Sequence, residues 1–403
     1  MSDSRSTETI EVDPLPVVTM TDLLTPRSGD PYPLYATLRE AAPVIPLEGG
    51  NMRLITRYDD VRAILRNHRE FSSESSSMGP EGVRSIIATD PPDHTKLRQL
   101  VTGPFRPAAI AALEPRIRVI AEGLVDDLIA ANRRGDADLV AAIAAPLPVI
   151  AIAEMLGVPT DRREEFRRWS DASVAGLSGI EDADGMSPEE ASEAMGEFFA
   201  EAVRERQRVP ANDLISALVT GAEPLSDGEL LYFCITLLVA GNETTTNLVG
   251  NATLALFDHP EAAARLWADP SLVADAMEEA LRYEAPVQML ARTATEDVTI
   301  AGEDIPAGTM VMLILGSANR DPAHYEDPDT YDIDRDVRDH VAFGNGIHLC
   351  LGAHLARLEA RVAFEVMISR IRDLRPDGPS ERNPMQMLRG VRHLPVTFEE
   401  VTP

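Results

Sequence analysis

Between Glu229 and Asp258 the chain carries 28 consecutive residues with one charged side chain, Glu243. The apolar part, residues 230–240, is 11 long before it meets Asn242, Glu243, three threonines and Asn247. A bilayer needs roughly 20 apolar residues, so this is not a membrane span. The segment reads instead as a long helix over residues 226–258, inside a folded body. An acid in such a helix is costly to bury, so Glu243 has to be functional, hydrated or paired.

A chain of 403 residues is long enough to enclose that helix. Helical signals recur over residues 32–40, 58–67, 108–132, 146–156, 160–178, 188–208, 260–268, 270–283 and 351–374. Strand-like runs are few: residues 52–56, a stretch over 291–312 and a closing strand over 394–399. Residues 321–339 are rich in Pro and Asp and read as irregular. No repeat of 20 to 50 residues is present, which removes solenoids and propellers. The expectation is a mainly α fold with minor β. A polar extension over residues 1–29 precedes a single domain over 30–403.

Charge and cysteine content limit the partners. Lys and Arg total 37 against 66 Asp and Glu, a formal charge of -29, which repels phosphate backbones and anionic lipid. Nucleic acid and membrane surfaces are therefore not expected partners. The two cysteines, Cys234 and Cys350, are too few for a disulfide scaffold and fit a reducing compartment. The N-terminus is polar and acidic with no basic or apolar leader pattern, so a cytoplasmic location is expected.

The second informative segment is Phe343-Gly344-Asn345-Gly346-Ile347-His348-Leu349-Cys350-Leu351-Gly352. Three glycines in ten residues permit positive φ and close approach of something large. A strongly helical run follows, so Cys350 lies just ahead of a helix whose unpaired N–H groups and dipole favour a thiolate. Four readings compete. A buried structural cysteine is the commonest fate but leaves the glycines unexplained. Zinc lacks its usual four-ligand spacing. A cysteine hydrolase needs a partner histidine, and His324, His340, His348 and His354 show no recognisable pattern around it. Axial ligation of haem iron needs a thiolate and a glycine-rich approach beneath a flat macrocycle.

The ten-residue segment resembles the haem-binding loop of the soluble bacterial cytochrome P450 enzymes, and the resemblance extends over about nine-tenths of the chain. It implies the cytochrome P450 fold, with haem between a long distal helix and a Cys-bearing proximal loop. It implies Cys350 as the axial iron ligand, Phe343 packed on the sulfur side, Gly352 in the loop, and His94, Arg98, Arg292 and His348 at the haem propionates. Ala240-Gly241-Asn242-Glu243-Thr244-Thr245 is similar to the family's oxygen-activating sequence. There the small residues leave room over the iron, and Glu243 with Thr244 carry protons to the distal side. Glu stands where many relatives have Asp.

Glu279 and Arg282 are three apart and share a helix face. Exposed pairs of this kind are worth about 0.3 kcal/mol, so spacing alone says little. Their match to the family's Glu-x-x-Arg implies a structural network with Arg335 behind the haem. Substrate walls are implied at Ile86, Ile87, Val239, Ala240, Val287, Gln288, Leu290, Met387 and Leu388. Gln288 is the orienting donor in an otherwise apolar pocket, and residues 72–79 and 179–187 fall at the family's mobile access loops.

The implied reaction is monooxygenation, chiefly hydroxylation, of an apolar small organic substrate by a monomer containing haem b. O2 is the co-substrate, and electrons come from NAD(P)H through a separate ferredoxin or flavodoxin-type donor and its reductase. Lys96, the one lysine, with Arg98, Arg106, Arg357 and Arg361 would form the basic docking patch. A peroxide-driven oxygenase and a haem-thiolate binding or sensing protein without turnover remain as alternatives; the Glu243-Thr244 pair argues for O2 activation.

Overall fold

The computed structural model describes residues 18–25, 29–74, 83–178, 185–221, 225–384 and 386–401. Most of the N-terminal extension and large parts of the two expected access loops lie outside the described residues.

The apolar run folds as an unbroken helix, Asp227–Asp258, started by a capping box. Ser226 accepts from the Glu229 amide while Glu229 reaches back to the Ser226 backbone. This central helix is buried along most of its length, from Leu230 through Leu256. It packs against helices Pro146–Leu156, Arg163–Ser178, Pro188–Arg208, Val273–Tyr283 and Ala353–Arg370. Leu238, Leu248, Val249, Ala252 and Leu256 join the main hydrophobic core there. Pro188–Arg208 begins in the same way, with Ser187 and Glu190 forming a second capping box.

The largest sheet gathers away from that core, whereas strand residues Ile371, Val391, Val396 and Phe398 belong to it. Five strands lie in the spatial order Val44–Pro46, Met52–Ile55, Met310–Ile314, Met289–Ala294 and Phe71–Ser72. All neighbours are antiparallel except Met52–Ile55 with Met310–Ile314, which run parallel with Met52 opposite Met310. The sheet is sandwiched between two smaller apolar clusters.

Two expected helices are shorter than their patterns suggest. Residues 108–132 divide into Pro107–Ala111 and Glu114–Arg134, because Pro115 occupies the first turn of the second helix. The last helix stops at Arg370 rather than at residue 374, and the chain continues as strand Ile371–Pro376 against Val396–Glu400. Fully buried Ile371 opens that strand; pairing with a segment some 25 residues away overrides local helical preference.

Candidate active site

The glycine-rich segment forms a tight loop ahead of helix Ala353–Arg370. Gly344 and Gly346 take φ of 70° and 74°, the left-handed region that glycine tolerates best. At Gly346 a side chain is also excluded by space, since a Cβ there would stand 2.4 Å from the carbonyl oxygen of Leu65. The Cys350 amide donates to the Phe343 carbonyl at 3.0 Å and closes the loop. The Phe343 ring lies under the guanidinium of Arg357, 4.5 Å away, and Arg357 is held by Glu278 at 2.6 and 3.0 Å.

The Cys350 sulfur has two faces to its environment. Its residue is exposed by accessible area, yet burial raises its thiol pKa, against the opposing pull of the Gly352 amide, Arg98, Arg357 and the Ala353 amide. Both observations hold if the sulfur opens into a space enclosed by protein rather than into bulk water. Cys234 is fully buried and its thiol is pushed up to about 12 by burial, so it packs as an apolar side chain.

The central helix keeps a partly accessible face of its own. Ala240 is exposed although Leu238, Asn242 and Glu243 around it are buried, and Thr236, Val239 and Thr244 keep part of their surface. Positions 236, 240 and 244 share one face. The Thr244 hydroxyl donates to the Ala240 carbonyl at 2.7 Å, and the helix continues unbroken through it. Glu243 turns elsewhere: it is 9% exposed, and its Oε1 accepts from Asn247 at 3.2 Å and from Asn383 at 3.0 Å. Burial raises its carboxyl pKa and exceeds the opposite pull of these amides and of Arg392 and Arg167.

Four cationic or imidazole side chains converge beside the cysteine loop. His94 and His348 have ring centroids 4.1 Å apart, and the Nε2 of each is buried with no hydrogen-bond partner. Arg98 donates to the Leu349 carbonyl at 2.6 Å. Arg292 is buried, and its guanidinium donates to the carbonyl of neighbouring Ala291 at 2.7 Å. Burial lowers the His348 imidazole to about 3, helped by the charges of His94, Arg292 and Arg98. Orphaned imidazole nitrogens and a buried guanidinium suit a ligand bearing two carboxylates. The thiol, the small-residue wall and this anion-binding corner therefore fit haem.

Glu279 and Arg282 form a fully buried bidentate pair, with both nitrogen–oxygen distances at 2.7 Å and both side chains 0% exposed. Arg282 also donates to the carbonyls of Asn319, Pro328 and Thr330. Arg335 stands 3.5 Å from Glu279 and donates to the carbonyls of Glu326 and Asp327. Spacing alone said little; with the pair completely buried, loss of either partner leaves the other charge uncompensated.

The structure divides the expected pocket residues. Val287 and Leu388 form a bridge between their segments, Ile86 packs beside Phe233 and Thr236, and Ile87 is 41% exposed. Leu290 and Met387 are partly buried, each against a different apolar cluster. Gln288, the expected orienting donor, is 0% exposed, and its amide nitrogen donates to the Ala285 carbonyl at 2.7 Å and to the Tyr32 hydroxyl at 3.4 Å. Its Oε1 is buried without a hydrogen-bond partner. The basic patch also changes. Lys96 and Arg106 are exposed, with Lys96 3.6 Å from Asp93; Arg357 pairs with Glu278, and Arg361 pairs with Glu114 and Glu365.

Some polar residues here escaped sequence reading. Glu359, on the helix after Cys350, is 1% exposed with Oε1 unpartnered, and burial pushes its carboxyl up to about 8. Asn247 and Asn251 follow Glu243 at steps of four, a spacing visible in the sequence whose meaning depends on what packs against it.

Comparison with known proteins agrees with this geometry. Residues 187–394 match the family described as Cytochrome P450. The chain is 42% identical over 350 residues to "Putative cytochrome P450 YjiB" of Bacillus subtilis (strain 168), covering 84% of this chain and 87% of that one. It is 40% identical over 391 residues to "Cytochrome P450 monooxygenase PikC" of Streptomyces venezuelae, covering 92% of each. Among solved structures, cytochrome P450 CYP109Q5 from Chondromyces apiculatus superimposes with a TM-score of 0.84 at 41% identity, over 96% of this chain and 99% of that one. CYP109E1 from Bacillus megaterium, in complex with corticosterone, gives 0.82 at 34% identity, over 92% and 99%.

Proposed function

The chain belongs to the cytochrome P450 family of haem monooxygenases, and from that membership we propose that it hydroxylates an apolar small organic compound, acting as a monomer in the cytoplasm. Among the described residues no helix is long and apolar enough to cross a membrane. Residues 30–403 form the catalytic domain, after a polar extension. The electron donor is a separate ferredoxin or flavodoxin-type protein, fed from NAD(P)H and docking beside Lys96 and Arg106. The observation that carries this reading is the pairing of an enclosed thiol, Cys350, with a small-residue face on the central helix where Thr244 engages the Ala240 carbonyl.

Haem b, when bound, supplies the redox chemistry that cleaves O2, so that RH, O2, two electrons and two protons give ROH and water. Cys350 Sγ would hold the iron, with Arg98 and Arg357 and the amides of Gly352 and Ala353 favouring its thiolate. His94, Arg98, Arg292 and His348 would hold the propionates. Glu243 keeps a proton more readily than a free carboxyl because it is buried, and Asn247 and Asn383 fix its orientation. The Thr244 hydroxyl can donate either to Ala240 or into the adjoining space. Val287, Leu290, Met387 and Leu388 exclude water with apolar surface. Steroids are one class to examine, since corticosterone is bound by a similar protein.

Thr244→Ala tests the proton role. The variant should retain haem and bind ligands normally while releasing more hydrogen peroxide per electron pair consumed. Unchanged coupling of electrons to product would contradict the assignment.

A further inference from the structure

The loop after helix Val273–Tyr283 and the segment near the C-terminus come from distant parts of the chain, yet their backbones interlock. The Gln288 amide donates to the Met387 carbonyl at 3.0 Å, the Arg389 amide donates to the Pro286 carbonyl at 2.8 Å, and Val287 bridges Leu388. At the base of this ladder stands Asn251 on the central helix, 0% exposed. Its single amide nitrogen donates to the Glu284 carbonyl at 3.1 Å and to the Arg389 carbonyl at 2.9 Å, using both hydrogens on the two segments. Its oxygen accepts from Arg382 at 3.2 Å. Glycine brings the surfaces together: a Cβ on Gly250 would stand 2.5 Å from Val391, and one on Gly390 1.7 Å from the Asn247 oxygen. The Glu284 carboxylate, buried against Arg389, Arg320 and Arg382, reinforces the same junction.

We propose that Asn251 is a positioning residue that joins these two segments into one unit anchored to the central helix, and thereby sets how tightly an apolar ligand is gripped above the haem. This rests on the reading that Val287, Leu290, Met387 and Leu388 line the substrate space. Asn251 lies seven residues, about two helical turns, after Thr244, so the helix that carries the proposed proton-delivery residues also sets the position of the walls. Without the clamp each segment keeps its ladder bonds to the other but loses the two Asn251 hydrogen bonds to the helix, leaving the Asn383–Glu243 bond and the packing at Gly250 and Gly390. A buried carbonyl on each side is then left without a donor, a cost that favours outward movement of the pair.

Two probes of the holoenzyme separate anchoring from general damage: imidazole, which reaches the iron with little wall contact, and 4-phenylimidazole, whose ring must fit between the walls. In optical titrations Asn251→Leu should weaken 4-phenylimidazole about tenfold while leaving imidazole within about twofold. Thr253→Ala, on the same buried helix with its hydroxyl bonded only to the Val249 carbonyl, should change neither. Leu388→Ala reports on the premise: if it leaves 4-phenylimidazole affinity unchanged, the wall assignment fails. If Leu388→Ala weakens it and Asn251→Leu does not, or weakens both probes alike, the clamp is wrong. Should Asn251→Leu not fold, amide exchange in the wild-type holoenzyme decides. Gln288 and Arg389 should exchange with equal protection and slow together when 4-phenylimidazole binds; independent exchange overturns the proposal.

Discussion

Replacing Glu279 with glutamine removes one charge and almost no volume, which isolates the electrostatics of the buried pair. Arg282 then stays fully enclosed, with three backbone carbonyls around it but no counter-ion in contact, and Arg335 loses the same carboxylate. Breaking one partner of a buried ion pair costs about 3–5 kcal/mol, chiefly because the other charge remains uncompensated. The internal control is Arg162 with Glu165, at the same three-residue spacing and also bidentate, at 2.9 and 2.6 Å. Those side chains are 39% and 48% exposed, and a pair in that setting is worth less than about 1 kcal/mol. Urea unfolding of the holoenzyme, followed by haem absorbance and far-UV circular dichroism, should therefore show Glu279→Gln losing about two to four decades in the folded-to-unfolded ratio. Glu165→Gln should lose less than one. Arg282→Met should be worse than Glu279→Gln, since it leaves the Asn319, Pro328 and Thr330 carbonyls without their donor. Equal, small losses for the two glutamine variants would refute the inference that burial makes the first pair structural.

Gly346→Ala forces a left-handed residue, costing about 1–2 kcal/mol, and drives a Cβ onto the Leu65 carbonyl. Purified variant should carry less haem per chain, whereas Gly123→Ala, in open space within helix Glu114–Arg134, should carry the normal amount. Glu359 adds a pH dependence of definite sign. Its carboxyl is raised to about 8 by burial, so between about 4.5 and 8 the folded state holds a proton that the unfolded state has released, and stability falls as pH rises through that window. Glu359→Gln should flatten this decline and be more stable than wild type at pH 8; an unaltered slope in denaturation curves across pH 5–8 would count against it. Glu278 works in the opposite direction. Burial pushes its carboxyl up, but the hydrogen bonds and charges of His340 and Arg357 outweigh that and hold it at about 2. Its contribution is thus complete above about 4.5 and lost as pH falls from there toward 2, and Glu278→Gln should reduce the acid-side loss in denaturation curves extended from about pH 5 down to about pH 2.

What the sequence made legible was local. The long helix could be recognised because one charge in 28 residues is rare, and its start because Ser226 and Glu229 sit at capping-box spacing. The cysteine loop could be recognised because glycine alone suits the left-handed turns at 344 and 346. Illegible features depend on groups far apart in the chain. The strand after Arg370 exists through pairing with residues 396–400. The Asn251 clamp joins residues 284 and 389, and neither carbonyl carries any sequence signal. The burial of Gln288 was not legible either, since its amide nitrogen is shared between Ala285 and Tyr32, the latter 256 residues earlier. The pairing of Arg361 with Glu114, 247 residues away, has no local signal either.

The most direct measurement is the absorbance spectrum of the reduced, CO-bound holoenzyme, with Cys350→His alongside. Wild type should give a Soret band at the long-wavelength position of thiolate-ligated haem, and the variant should lose it while still binding haem. A wild-type band at the shorter wavelength of histidine- or thiol-ligated haem, or a protein that takes up no haem, would contradict Cys350 as the proximal ligand and with it the proposed chemistry.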